Sequence, residues 1–589
     1  MKSRASIQSP PGERELPPDI SLEWTNLSYS ENDQVILHSV SGMLESGKLT
    51  AVIGPTGSGK RELLGVLSGS LFKDRRNRKI TADISVCGEH VDPSTFRSNV
   101  GCVNADEFLQ ETATPQELMS FSADLRVPHS TKEDRSRTVS ELLKALKLDD
   151  LRHKFLWDPI FTSGEKKRVA IGVELVADPL VLFLDEPFGD LDAFEAYTCM
   201  SIMKKLSASG VPIMITLERP TAEVLMLFDD VIVLVQGQVL YQGPTTGMTK
   251  PFEPLAGGEC PPQYNPADFV LFAVCKATSE QLSVIAKQAW ILTEGKVIPA
   301  IQARRSIRKA WVRNMVRPRQ SVPFMNQFKV LTKREFRDTI RTKRTLVIRF
   351  IVVALLNSIV GIVFHGVGGK GSETYYLANN DEWKAYYGAL ALLCIASMFM
   401  NSQAALLAFP IQQTVFIKEY SRNMYGSLAY FLSRTFIELP LGFFQSLMQM
   451  LVTYWSIGLQ GNFFYFVMVL WLVCSCSTSV SFLMSAMVSS EKRAIQLSPI
   501  VFIPQILFSG VFVMISYIPS WFRWGQYLAF LKYCQVLAFY VEFGNTFPTL
   551  AAKQEIILDK INLYIALACS ILVGTRLLAI VFLRQKARY

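Results

Sequence analysis

The sequence predicts an α/β P-loop ATPase domain followed by an all-α domain of six transmembrane helices. Three observations predict it. A short apolar strand, Lys48-Leu-Thr-Ala-Val-Ile53, runs into the loop Gly54-Pro55-Thr56-Gly57-Ser58-Gly59-Lys60, and a helix over about 60–69 follows. A second apolar strand, Leu180-Val-Leu-Phe-Leu184, ends in Asp185 and Glu186. Beyond Lys343 come six apolar runs, each long enough to cross ~30 Å of hydrocarbon.

Composition divides the chain the same way. Of its 589 residues 19% are charged and 38 are phenylalanine. Most charges precede Lys343, and Leu, Ile, Val, Phe and Trp dominate after it, so a soluble half is joined to a lipid-facing half. The net charge of +9 is concentrated beside the apolar runs, in Arg304, Arg305, Arg308, Lys309, Arg313, Arg317 and Arg319 and again from Lys329 to Arg344. That placement suits the cytoplasmic face of a membrane and argues against a nucleic-acid partner. Ten cysteines without CxxC spacing and five histidines give no zinc site or disulfide framework. The opening residues hold no apolar run, so no signal peptide is expected, and their Pro, Ser and Glu content predicts a disordered arm over 1–19.

The first strand–loop–helix is a phosphate site in its required context. The glycines let backbone N–H groups turn inward, the helix presents its positive end, and Lys60 reaches the β- and γ-phosphates. Asp185 is the candidate anchor for Mg²⁺, and Glu186 the candidate general base for an attacking water. The position after Lys60 breaks the pattern. A Ser or Thr oxygen belongs there as a metal ligand, and Arg61 has none. Between the two strands, Thr162-Ser163-Gly164-Glu165 opens a helix to about 177, with Thr162 as N-cap and Glu165 completing a capping box. Strands are also expected over Ile20–Tyr29 and Gln34–Leu37.

Taken in order, the P-loop, the run Gly164-Glu165-Lys166-Lys167-Arg168-Val169-Ala170-Ile171-Gly172-Val173-Glu174-Leu175, the strand end Leu184-Asp185-Glu186-Pro187 and Asn265-Pro266-Ala267-Asp268-Phe269 resemble an ABCG (White) subfamily half-transporter of the ATP-binding-cassette superfamily. The resemblance covers about residues 20–585. It implies ATP and Mg²⁺ as cofactors, and a second half-transporter as partner. Each nucleotide would be sandwiched between one chain's P-loop and the other chain's Thr162-Ser163-Gly164 segment. It implies an adenine-stacking aromatic at Tyr29, with Trp24 as the neighbouring option.

The departures from the family pattern fall on the same site. The Q-loop glutamine is Ala105, the signature Ser-Gly-Gly reads Thr162-Ser163-Gly164, the run after Pro187 reads Phe188-Gly189-Asp190-Leu191-Asp192, and the switch histidine is Glu218. A carboxylate at Glu218 repels phosphate. With Arg61 and Ala105 it implies a site that binds ATP and hydrolyses it poorly. The functions implied are an ATP-dependent exporter half for a hydrophobic molecule (sterol, lipid, pigment precursor or xenobiotic) or a catalytically weak regulatory subunit whose partner supplies the working P-loop. The expected domains are a cassette over 20–280, a basic linker over 281–321, an amphipathic connecting helix over 322–344 and the membrane domain over 345–589.

Within the membrane domain the spans are expected at about 345–365, 385–408, 430–457, 463–488, 495–515 and 563–583. An even number, with Arg584, Lys586 and Arg588 in the tail, places the cassette and both termini in the cytoplasm, beneath the plasma membrane or an internal one. The loop 409–425 is expected inside, where it would rest on the cassette. Arg349 and Arg576 read as snorkelling side chains, and Arg434 with Glu438 as an i, i+4 pair. Residues 516–562 read as an external segment rich in interfacial aromatics, whose Cys534 is available for a bridge between copies. By resemblance, Phe399, Asn401, Phe502, Phe508 and Met514 line a substrate cavity.

Overall fold

Two antiparallel strands, β1 (Ser21–Glu31) and β2 (Gln34–Glu45), open the described part of a computed structural model of the chain. The structure describes residues 20–71, 78–92, 96–105, 109–189, 191–305, 322–369, 375–376, 379–488, 491–512, 517–544 and 561–588. The expected arm over 1–19 lies outside them. Two units result, one formed by the chain to Pro323 together with Ser421–Tyr425, the other by Phe324–Tyr420 and Gly426–Ala587.

The first unit holds two sheets. β3 (Leu49–Ile53) is the buried strand before the glycine loop, and β4 (Arg78–Val86) and β5 (Glu89–His90) complete a four-stranded sheet ordered β2-β1-β4-β5. β6 (Val100–Val103), β7 (Val181–Asp185), β8 (Ile213–Leu217), β9 (Asp230–Val235) and β10 (Gln238–Pro244) form the second sheet with β3, ordered β10-β9-β3-β8-β7-β6. All pairs in it are parallel except β9–β10. Every residue of β3, β7 and β8 is buried, which is why these strands read as mostly apolar runs. The register sets Leu217 beside Ile53 and Thr216 beside Asp185. The carboxyl ends of β3, β8 and β7 therefore reach one edge together, the place where open α/β sheets bind ligands.

Helices α1 (Lys60–Leu67), α2 (Pro115–Arg126), α3 (Lys132–Ala145), α4 (Ser163–Leu175), α5 (Ala193–Ala208) and α6 (Pro266–Lys276) follow in order. Thr114, Thr131, Thr162, Asp192 and Asn265 cap five of them with side-chain oxygens, relieving backbone donors that a helix start leaves unpaired. α7 (Ser279–Arg305) continues as 27 helical residues with Pro299 inside, over ground expected to be a basic linker; 306–321 lie outside the described residues.

The second unit is all helical. α8 (Phe324–Arg341) is amphipathic, and α9 (Lys343–Val363), α10 (Asn380–Ser421), α11 (Ser427–Ile457), α12 (Phe463–Met487), α13 (Glu491–Leu507), α14 (Phe530–Phe543) and α15 (Ile561–Arg588) follow. Five described helices, rather than six, are long and apolar enough to cross a membrane. The run expected as the fifth span is α13, only 17 residues long, interrupted by Pro499 and Pro504 and opened by Glu491, Lys492 and Arg493. At 1.5 Å per residue it spans ~26 Å, short of the ~30 Å core. The loop expected at 409–425 is helical as far as Ser421, because α10 runs 42 residues through Pro410.

Several charges in this unit are paired inside it. The Arg434 guanidinium lies 5.4 Å and 5.1 Å from the Phe409 and Phe482 ring centres and pairs with Glu438 at 3.7 Å and Glu335 at 3.9 Å. Arg334 donates to both Glu419 oxygens, at 2.6 and 2.8 Å. Arg349 donates to Asn401 at 3.2 Å. Arg576 does not snorkel: it is buried, donating to Ser479 at 2.8 Å and to Thr435. Cys534 is fully buried in the apolar core of the unit, so it is not placed at the surface for a bridge between copies.

Inside the first unit, Glu174 on α4 is wholly buried and pairs with Arg126 of α2 and with Arg422, each at 2.9 Å. Arg422 also donates to the Cys102 carbonyl of β6 at 2.9 Å, and Arg97 is a further charge nearby. Burial pushes the Glu174 carboxyl up, but Arg126 and Arg422 together outweigh it and hold it below the usual carboxylate range. An acid with a lowered folded pKa contributes stability above its ordinary pKa of ~4.3, and loses it as pH falls through the folded value. Glu174→Gln should cost about 3–5 kcal/mol at neutral pH, the cost of leaving a buried partner unpaired. Thermal melts of the purified chain should show the gap between variant and wild type closing below about pH 4. A gap independent of pH would show that the charge contributes nothing.

Candidate functional site

The loop between β3 and α1 is shaped by what its glycines lack. A side chain on Gly54 would place its Cβ 2.0 Å from the Leu234 carbonyl oxygen of β9, an approach only glycine allows. Gly57 and Gly59 adopt φ of 79° and 97°, the left-handed region. Gly59 precedes α1 with no side-chain cap, so its first N–H groups face the loop. Lys60 is buried, and its Nζ donates to the Gly54 and Pro55 carbonyls at 2.7 and 3.1 Å. Burial pulls its pKa down against the opposing charges of Glu186, Glu218 and Asp185. Ser58 Oγ, on a residue 3% exposed, has no hydrogen-bond partner among the described residues. An unpaired hydroxyl beside a folded-back lysine and open helix N–H groups suits a phosphate, so the residues present fit ATP at Gly54–Lys60. Thr56 and Gly57 are the exposed crest of the loop.

The strand ends bring the carboxylates to the same place. Thr216 donates to Asp185 Oδ1 at 2.8 Å and accepts from the Glu186 backbone N–H at 2.9 Å, fixing the turn in which Glu186 has φ 41°. Glu218, after β8, accepts a hydrogen bond from Thr56 of the loop. The Glu186 carboxyl is raised, by burial first and then by the charges of Glu218 and Asp185, against Lys60 and Arg61. Arg61 Nε stands 3.5 Å from Asp185 Oδ2. The expected metal anchor is therefore paired with a cation of the chain, and no oxygen follows Lys60. Ala105 brings none either. These residues do not fit Mg²⁺ in the way they fit a phosphate.

Other expected residues lie apart from this cluster. Thr162 forms the capping box with Glu165, accepting from its N–H at 3.2 Å while Glu165 accepts from the Thr162 N–H at 3.0 Å. Thr162 and Ser163 are exposed, and Gly164 is buried against Glu195 of α5. Tyr29 is buried in the core with its hydroxyl donated to Glu31 at 3.0 Å, and Trp24 is buried too, so neither offers an open face to adenine. Asp190 and Met514 lie outside the described residues. Phe399 and Phe502 approach at 6.2 Å between ring centres, and Asn401, Phe502 and Phe508 are buried within the chain. Sequence reasoning missed Thr216, whose signal was a lone hydroxyl in the apolar strand Ile213-Met-Ile-Thr-Leu217.

Comparison with known proteins agrees with this division. Residues 37–189 match the ABC transporter family, and residues 326–543 the ABC-2 type transporter family. A nucleotide cassette ahead of such a membrane region defines an ATP-binding-cassette transporter, and the chain belongs to that class. Within it, the chain is homologous to the White/ABCG half-transporters. It is 27% identical to Protein white of Drosophila melanogaster over 94% of this chain and 83% of that one. It is 27% identical to the ABC transporter ATP-binding protein/permease wht-1 of Caenorhabditis elegans, over 85% and 76% of the two chains. It is 26% identical to the Broad substrate specificity ATP-binding cassette transporter ABCG2 of Rattus norvegicus, over 85% and 79%.

The Gly54 contact gives a test of the loop. Gly54→Ala should lower ATP affinity at least about tenfold, measured by equilibrium binding to the full chain, because the Leu234 carbonyl belongs to a central strand and cannot withdraw. Gly57→Ala meets no atom within 4 Å and should cost only the strain of its φ. Equal affinity in the two variants would contradict this reading of the loop.

Proposed function

We propose that the chain is one half of an ATP-driven exporter of a hydrophobic small molecule, paired with a second, different half-transporter, and that its own P-loop site hydrolyses ATP slowly. The partner's P-loop would face Thr162-Ser163-Gly164 and supply most turnover. The observation that carries this reading is the pairing of Arg61 with Asp185 at 3.5 Å, on the carboxylate expected to anchor the metal. Glu218 at the switch position adds a second unfavourable charge. Losing one preorganised charge-stabilising contact in a transition state costs ~10²–10³ in rate, so two such losses bring turnover close to background. The apolar helices of the second unit support a hydrophobic substrate. The basic residues ahead of the first span support a cytoplasmic cassette.

A self-sufficient homodimer is the second reading, favoured by the retention of Lys60 and Glu186. The two separate in one assay. Mg²⁺-dependent ATP hydrolysis by the chain purified alone in lipid should fall within about twofold of a Lys60→Ala control. Clear hydrolysis above that control would establish the homodimer. In cells carrying both halves, Glu186→Gln in this chain should leave transport largely intact, and abolition of transport would refute the slow-site assignment.

A further inference from the structure

We infer that the nucleotide site on this chain binds ATP without a divalent metal ion, with the Arg61 guanidinium standing beside Lys60 as the second cation on the phosphates. The inference rests on the reading of Gly54–Lys60 as an ATP loop made above and adds the ionic form of the nucleotide it takes.

The metal position has been taken over by the chain's own charges. In P-loop ATPases the residue after the loop lysine and a strand-end aspartate hold Mg²⁺ through oxygen. Here the first of these is a guanidinium, which carries five donors and no acceptor. Both oxygens of the second are engaged: Asp185 Oδ1 accepts the Thr216 hydroxyl at 2.8 Å, and Oδ2 faces Arg61 Nε at 3.5 Å. Mg²⁺ demands near-octahedral oxygens at ~2.0–2.1 Å and sheds water reluctantly, and a fixed positive charge on its anchor repels it. Among the described residues no group of three or more His, Cys, Asp or Glu side chains could hold a metal ion.

Arg61 is also placed to act on phosphate. It is the second residue of α1, directly after the lysine that reaches the phosphates. Its side chain is 69% exposed while Asp185 is 6% exposed, so the ion pair uses one edge of the fork and leaves the outer donors open. A planar fork of this kind matches phosphate bidentately, and it cannot be deprotonated in a protein. Glu218 contributes a charge of the wrong sign, held by the Thr56 hydroxyl. It weakens binding with or without metal, so the inference concerns metal dependence and not absolute affinity.

The test is equilibrium binding of radiolabelled ATP to the full-length chain in lipid, once with excess Mg²⁺ and once with EDTA. The wild-type dissociation constants should agree within about threefold. Arg61→Ser restores an oxygen at the metal position and removes the guanidinium; with that side chain so exposed, the variant should fold. It should bind at least about tenfold more weakly in EDTA than in Mg²⁺. Wild-type affinity falling tenfold in EDTA would overturn the inference, as would an Arg61→Ser variant as indifferent to metal as the wild type. Metal-dependent binding with hydrolysis still at the Lys60→Ala level would remove this inference and leave the slow-site function standing. Metal-indifferent binding with robust hydrolysis would do the reverse. No binding in either buffer would remove both.

Discussion

The parallel register of β3, β8 and β7 is the constraint on which the rest of the nucleotide site depends. Because Ile53 lies beside Leu217 and Asp185 beside Thr216, the glycine loop, Glu218 and the Asp185–Glu186 pair leave the sheet at one level. Thr216 then makes the junction specific, bonding Asp185 on one side and the Glu186 N–H on the other. A slip of one residue would turn that hydroxyl to the opposite face of the sheet and separate the carboxylates from Lys60. The close approach of Gly54 to the Leu234 carbonyl depends on the same register, through β9 on the other flank of β3.

What was legible in the sequence was what is local. The strand–loop–helix at 48–69 and the capping box at Thr162 and Glu165 are decided by residues within a few positions of each other, and both are present. Arg61 could be recognised as a missing ligand, but its pairing with Asp185 spans 124 positions (185 − 61) and two elements, so no local pattern carries it. Tyr29 illustrates the opposite failure. An aromatic at the right place in a motif was expected at adenine, whereas packing between the sheets buries it. Hydropathy found the apolar run that became α13 and could not see that prolines and a charged start leave it too short to count as a span.

Buried charge is handled alike in the two units, and that handling separates structural from functional groups. Glu174 and Arg434 are both fully enclosed, and both have their charge answered from more than one side: two arginines for Glu174, two acids and two ring faces for Arg434. Such groups are fixed in one state, because removing either partner strands the other. The cluster at the nucleotide edge is different. There Ser58 has no hydrogen-bond partner among the described residues, and the Arg61 guanidinium keeps exposed donors beyond its pairing with Asp185. Incomplete compensation is the mark of a place that awaits a ligand.

Exchanging a metal-binding oxygen for a guanidinium changes what that ligand can undergo there. A guanidinium answers the charge already present on bound phosphate, and so it stabilises the bound ground state. Acceleration requires contacts that strengthen as charge moves toward the leaving oxygen. Arg61 is tied to Asp185, and Glu218 sets a carboxylate beside the crest of the loop, so neither is arranged to follow that movement. Holding ground state and transition state about equally leaves affinity without rate. On the reading proposed here, ATP at this loop is then closer to a structural element than to a fuel. It would stay in place and keep the cassette fit to present Thr162-Ser163-Gly164 to a partner, while the cycle of hydrolysis runs at the other site. On that reading the loop and strand ends would serve to hold ATP, and the capped helix to present its N-terminal residues to the partner.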